Sequence, residues 1–419
     1  MDVDPSAPVA PEPGEAVFNP FEPGFFENPY PQYAAIRAES RVHKTPFGAT
    51  VLSHYDDCFS LLRQPGTSVD ERNAVGVMEL PLPLELAERR DDNQRSMLST
   101  DPPDHTRLRR LVSKAFTVRR VEQLRPRVRD IVDDLLDDLE AAAAGGEPVD
   151  LIAGFAFPLP FIVISELLGM PEADRTELRS WSHQMTESLE PLVDEATLRK
   201  VVAAADLMLA HIGEAIEWKR ANPADDLLSA LISAEEDGDR MSHDELVQQV
   251  VLLYIAGHET TVNLIGNGTL ALLRHRAQLE RLVADPALDA NAVDELLRYD
   301  SPVQFSRRIA VSDLDLGFGV TLGPGDLVLT LLGSSNRDED HWGPTADELD
   351  LGREGASGHL SFGNGIHHCL GAALARLEGG EAVPGLVRRF PGLELATDQP
   401  AWNGRIVLRG LDSLAVSLG

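Results

Sequence analysis

The sequence predicts a mainly α chain with a minor β region, folded as one large helical domain. Three observations carry this: helical apolar spacing recurs through the middle of the chain, the β-like runs are few and short, and no change of composition marks a linker. Helical spacing covers 130–144, 161–168, 196–221 and 244–274, where apolar residues fall three and four apart or form runs that read as buried. Strands are expected at Val42 to Leu52, Arg308 to Val311, Gly319 to Leu322 and Leu327 to Leu332, where β-branched residues meet turn chemistry such as Gly323-Pro324-Gly325. Residues 1–24, rich in proline, glycine and acids, are expected to form a disordered tail, which leaves a single domain over 25–419.

With 419 residues and 43% hydrophobic content the chain can bury a large core. No stretch approaches the about eighteen apolar residues of a membrane span, and Met1-Asp2-Val3-Asp4-Pro5 lacks the basic and apolar parts of a signal peptide, so a cytoplasmic protein is expected. Cys58 and Cys369, far apart in a reducing compartment, are not expected to pair; Cys58 reads as a small apolar residue, and Cys369 is left for chemistry. The net charge of −31 argues against general binding to nucleic acid or anionic membranes. Arg107 to Arg129 breaks that trend with nine basic residues and one acid, Glu122. A run like this is either a solvated helix face or a docking patch for an acidic partner.

Four local patterns carry chemistry. Asp101-Pro102-Pro103-Asp104-His105-Thr106-Arg107-Leu108-Arg109 marks a helix start and puts His105 and Arg109 on one face, able to grip a carboxylate, although a lone histidine is more often structural. Ser242 and Glu245 form a capping box that opens the longest helix, and its run Val250-Val251-Leu252-Leu253-Tyr254-Ile255-Ala256 reads as buried on every side. Gly257-His258-Glu259-Thr260-Thr261 interrupts that run with a glycine that costs about 1 kcal/mol in a helix and with polar groups that are costly when unpaired. Threonine can bond back to the i−4 carbonyl and glutamate can find an arginine, yet broken local rules in a core helix are where function is expected. The pair in Glu295-Leu296-Leu297-Arg298 is weak evidence alone. In Phe362-Gly363-Asn364-Gly365-Ile366-His367-His368-Cys369-Leu370-Gly371, the cysteine lies just ahead of the helical run Ala372-Ala373-Leu374-Ala375. Backbone N–H groups and the helix dipole there favour a thiolate and lower its pKa, glycine lets the chain pass close under a flat ligand, and such a thiolate can ligate iron.

These patterns, in this order, make the chain resemble the cytochrome P-450 family, specifically its soluble bacterial class. The cysteine loop matches the family signature at Phe362, Gly365, His367, Cys369 and Gly371; Ala256 to Thr260 match its Ala-Gly-x-Glu-Thr element; Glu295 and Arg298 match its Glu-x-x-Arg pair; and Asn336-Arg337-Asp338 matches a segment ahead of the cysteine loop. Departures stand at His368, where Phe is common, at Asn364, where His is common, and at Glu348, where many members carry the arginine that completes a triad with Glu295 and Arg298. Gly379, Gly380 and Pro384 weaken the helix after Cys369.

The resemblance implies the cytochrome P-450 fold around a buried haem b, with Cys369 as axial thiolate, His105, Arg109, Arg308 and His367 as partners of the propionates, and Glu259 and Thr260 as a proton relay to dioxygen. It implies a monooxygenase that inserts one oxygen atom from O2 into a hydrophobic small molecule, by hydroxylation or epoxidation. The substrate classes in view are polyketides, terpenoids, steroids and fatty acids. Its pocket would be lined by the segment Asp70 to Met97, including Gly76, Val77, Met78, Leu80, Leu82 and Leu84, by Trp181 to Leu209 and by Val303 to Phe305. Electrons would come from a separate acidic ferredoxin or flavodoxin docked near Arg107 to Arg129. The rival readings are a peroxide-driven peroxygenase, a haem-thiolate protein that only binds, and a zinc site at His367, His368 and Cys369, whose adjacent ligands lack the separated pairs of a tetrahedral site.

Overall fold

The computed structural model describes residues 17–45, 48–75, 96–170, 175–190, 193–236 and 238–419. Phe18 is buried and its ring packs on Phe25, Tyr33 and Phe305. The expectation of a tail through residue 24 is therefore corrected: three aromatic partners anchor residues 17–24 to the fold, and residues 1–16 lie outside the described residues.

In chain order the elements are α1 (Tyr30–Glu39), β1 (Val42–Lys44), β2 (Thr50–Leu52), α2 (Tyr55–Leu61), β3 (Thr67–Ser68), α3 (Asp104–Ala115), α4 (Val118–Gln123), α5 (Arg125–Ala142) and β4 (Val149–Asp150). There follow α6 (Pro158–Leu168), α7 (Arg175–Thr186), α8 (Glu195–Ala221), α9 (Leu227–Ser233), β5 (Glu235–Glu236), β6 (Asp239–Arg240), α10 (His243–Arg274), α11 (Arg276–Ala284) and α12 (Asp289–Tyr299). The chain closes with β7 (Phe305–Ala310), β8 (Leu314–Asp315), β9 (Thr321–Leu322), β10 (Leu327–Leu331), α13 (Leu332–Ser335), α14 (Glu339–Trp342), α15 (Ala372–Arg389), β11 (Glu394–Leu395), β12 (Ala401–Trp402), β13 (Leu411–Ser413) and β14 (Ala415–Ser417). The main sheet has the order β1-β2-β10-β7-β3, with β10 parallel to β2 and antiparallel to β7. The expected strand at Val42 to Leu52 is thus a hairpin.

Helix α10 runs for 32 residues behind the expected Ser242–Glu245 capping box. Its apolar faces pack on α6, α8, α12 and α15. Val250, Tyr254, Val262 and Ile265 join Leu151, Phe155 and Leu159 in the largest apolar cluster, which fixes the helix across the interior. Cys58 is wholly buried in a smaller cluster, and burial pushes its thiol up to about 12, so it is an inert packing residue.

The glycines of α15 have a packing reason. A Cβ at Gly379 would stand 2.9 Å from Leu264 of α10 and 3.2 Å from Val293 of α12, so its absence lets three helices approach closely. Pro384 sits inside α15 without ending it.

The segment leading to the cysteine loop is bolted to α12. Glu295 and Arg298, both wholly buried, pair at 2.7 Å, and Arg298 also donates to the carbonyls of Asn336, Ala346 and Glu348. The third member of this group is Arg353, whose Nε lies 3.2 Å from Glu295. Glu348 contributes only a backbone carbonyl, so the side-chain role expected near its position is filled five residues later. Asn336 Oδ1 accepts from the Leu360 N–H at 2.6 Å, its Nδ2 donates to Ser361, and Asp338 caps α2 through the Tyr55 N–H.

Candidate active site

The loop ahead of α15 is shaped by two left-handed glycines, Gly363 and Gly365, and closed by the Cys369 N–H donating to the Phe362 carbonyl at 2.9 Å. At Gly365 a side chain would run into the Leu62 backbone of α2, so the close approach that demands glycine there is to protein. Cys369 ends the loop with Gly371 as N-cap of α15. Its side chain is accessible, yet burial pushes its thiol pKa up, against the opposing pull of the Gly371 N–H, Arg109, Arg376 and the Ala372 N–H. The expected net lowering is thus reversed, because desolvation outweighs the helix N-terminus.

Four basic side chains from three parts of the chain gather beside it. His105, on α3, is buried and packs against His367 of the cysteine loop, with ring centroids 4.1 Å apart and the rings tilted by 44°. Among the described residues, neither nitrogen of His105 has a hydrogen-bond partner. Burial holds His367 down at about 3, with His105, Arg308 and Arg109 adding to the shift. Arg308, on β7, is buried, and burial lowers it to about 10 while Asp101 opposes. Its neighbour Arg307 instead pairs with Glu71, which separates the two arginines that the sequence left adjacent. Arg109 donates to the His368 carbonyl at 2.6 Å, and its cation acts on Cys369. His368 thus contributes its backbone, while its ring is exposed. A desolvated group of two arginine cations and two histidines, with both His105 nitrogens orphaned, fits an anionic group that has two carboxylates, and the accessible thiol fits its metal.

On α10 the expectation of burial on every side is corrected. Val250, Val251, Leu253 and Tyr254 are buried, but Leu252 and Ile255 are only partly so and Ala256 is exposed. A Cβ added at Gly257 would meet nothing within 4 Å. This is the less covered face of the helix among the described residues, and the Thr260 hydroxyl lies on it, donating back to the Ala256 carbonyl at 2.9 Å. Glu259 points elsewhere. Its carboxylate is buried, 3.2 Å from His183 Nδ1 on α7 and 3.3 Å from Arg405 between β12 and β13. Burial alone would raise its pKa, but the His183 hydrogen bond, Arg405 and His258 together hold it below the usual range. His183 and Arg405 carry no local signal, since they stand 76 and 146 residues from Glu259.

The basic run is largely consumed by internal pairs. Arg107 meets Glu245 and Asp239, Arg120 meets Asp225, Arg125 and Arg129 meet Glu381, and Arg127 meets Glu166. Arg110, Lys114 and Arg119 remain exposed on α3 and α4. The residues Gly76, Val77, Met78, Leu80, Leu82 and Leu84 lie outside the described residues. Among the described residues no helix is long and apolar enough to cross a membrane.

The "Cytochrome P450" family model matches residues 48–285 and 286–402. Cytochrome P450 107B1 of Saccharopolyspora erythraea is 44% identical over 408 residues, covering 95% of this chain and 97% of its own. The vitamin D(3) 25-hydroxylase of Pseudonocardia autotrophica is 43% identical over 412 residues, covering 95% and 96%. The solved structure of the Bacillus subtilis 168 bacillaene polyketide synthase cytochrome P450 PksS superposes with a TM-score of 0.86 at 39% identity, over 96% of this chain and all of that one. With fold, cysteine loop and central helix in agreement over nearly its whole length, the chain belongs to the cytochrome P-450 family and is an oxidoreductase of its monooxygenase kind.

Proposed function

We propose that this chain is a haem b monooxygenase that inserts one atom of O2 into a hydrophobic small molecule, with electrons from a separate acidic ferredoxin or flavodoxin. The observation that carries it is the convergence of His105, Arg109, Arg308 and His367 beside Cys369, with both His105 nitrogens unpartnered in buried surroundings. Cys369 would ligate the iron, and the four basic groups would hold the propionates, with Arg308 suited to a forked contact. When bound, haem supplies the binding and reductive cleavage of dioxygen. The protein's own part is to exclude water, orient the substrate over the Ala256–Gly257 face and deliver protons through Thr260 and Glu259.

Relatives named for polyketide biosynthesis and for vitamin D(3) 25-hydroxylation support a bulky apolar substrate. Exposed Arg110, Lys114 and Arg119 sit on the helices that reach the cysteine loop through Arg109, which supports docking of an acidic electron donor there. The test of the haem-thiolate reading is the absorption spectrum of the reduced carbonyl complex. A red-shifted Soret band that is lost in Cys369→His is expected; a histidine-type band in the wild type would overturn the assignment.

A further inference from the structure

Glu259 is the best-held acid near the distal face, and its partners decide where its protons come from. One oxygen is held by Arg405, a partly buried guanidinium that also donates to Thr186 at 2.7 Å and cannot give up a proton at physiological pH. His258, next to Glu259 on α10, is wholly buried, with its Nε2 on the Phe157 carbonyl at 3.1 Å. Burial holds it at about 4, so it stays neutral and sealed from water. The other Glu259 oxygen meets His183, whose side chain is 42% exposed while that of Glu259 is 6% exposed.

The solvent side of His183 is a pocket of about 340 Å³ lined by Phe157, Arg179, Ser180, His183 and Gln184. Arg179 lies one helical turn before His183, with its guanidinium 3.9 Å from the centroid of the Phe157 ring. The groups that face the imidazole are therefore Glu259 and His258 from α10, Arg179 from its own helix, the Phe157 ring from the start of α6, and Arg405 beyond the carboxylate. Among them His183 alone combines exposure to water, a ring that can carry a proton on either nitrogen and contact with the buried acid.

We propose that His183 is the port through which Glu259 exchanges protons with solvent, by way of the pocket on α7. A proton from pocket water is taken on Nε2, and the proton on Nδ1 passes to Glu259 Oε2. The ring is left as the Nε2–H tautomer and resets by swinging into the pocket, where water protonates the free Nδ1 and then takes the proton from Nε2. One proton moves inward and no electrons move. Arg405 is a positioning residue that fixes the second oxygen.

This inference rests on the monooxygenase reading, and its test separates the two. In the substrate-free ferric holoenzyme, the Glu259 carboxyl is followed by infrared spectroscopy after a rapid pH jump, its band identified by subtraction of Glu259→Gln. His183→Asn keeps a donor for Glu259 but cannot relay a proton, and His183→Phe lacks both. Slowing of at least about 10-fold in both variants is expected, in line with the usual worth of a placed acid-base group, together with fewer product molecules per electron pair. A wild-type rate in His183→Asn overturns the port and leaves His183 as a positioning residue. Full coupling in Thr260→Ala, with the infrared result unchanged, would instead overturn the distal relay while the port to Glu259 stands.

Discussion

Arg353 Nε lies 3.2 Å from Glu295 Oε1, on a carboxylate already paired with Arg298 at 2.7 Å. Two guanidiniums thus share one buried acid and tie the approach of the cysteine loop to α12. Arg298→Ala should destabilise the protein by about 3–5 kcal/mol, because it leaves a buried charge short of its main partner and strips three carbonyls of their donor. Arg353→Ala, on the partly exposed edge, should cost about 1–3 kcal/mol. Denaturant midpoints of the holoprotein check the order; equal losses would refute it.

At the glycine pair of α15 the expected signs differ. Gly379→Ala should destabilise by about 1–3 kcal/mol, since the new methyl meets Leu264 at 2.9 Å in a closed three-helix contact. Gly380→Ala, whose nearest neighbour would be Val293 at 3.8 Å, should stabilise by about 0.5–1 kcal/mol through helix propensity. Melting temperatures of the two variants decide it.

Glu378 is a buried acid with no close hydrogen-bond partner among the described residues, and burial raises it to about 8 against a weak opposing pull from the Thr261 hydroxyl. Its pKa is higher folded than unfolded, so the native state binds the extra proton and stability falls as pH rises from the ordinary value of 4.5 towards about 8. Glu378→Gln should remove that fall, and its advantage over the wild type should grow to a few kcal/mol at the alkaline end. Urea midpoints across this range measure it; an advantage that shrinks with pH would contradict the burial account.

Thr260→Ala should retain haem and substrate binding but divert turnover to peroxide, because the hydroxyl on the open face of α10 is lost while Glu259 keeps its two partners. The ratio of product to electrons consumed, with peroxide assayed beside it, provides the check.

Charge reversal at Arg110 and Lys114 should slow reduction by an acidic ferredoxin and weaken its dependence on salt, by about 10-fold or more at low ionic strength. Stopped-flow reduction at two salt concentrations tests this.

The sequence by itself determined the helical class, the bounds of α10 with its capping box, and the segments holding Cys369, His105, Glu295, Arg298, Glu259 and Thr260. Each was legible because its physics is local: a cap needs residues three apart, an ion pair on one helix turn needs the same spacing, and a loop cysteine before a helix needs only its neighbours. What a side chain meets across the fold is not encoded in spacing. Only the tertiary structure turned Arg307 to Glu71, supplied Arg353 to Glu295, paired off most of the basic run, and turned Glu259 towards His183 and Arg405. It also reversed the expected shift of the Cys369 thiol, because desolvation depends on how many atoms surround the sulfur, a quantity set by packing and absent from any decapeptide.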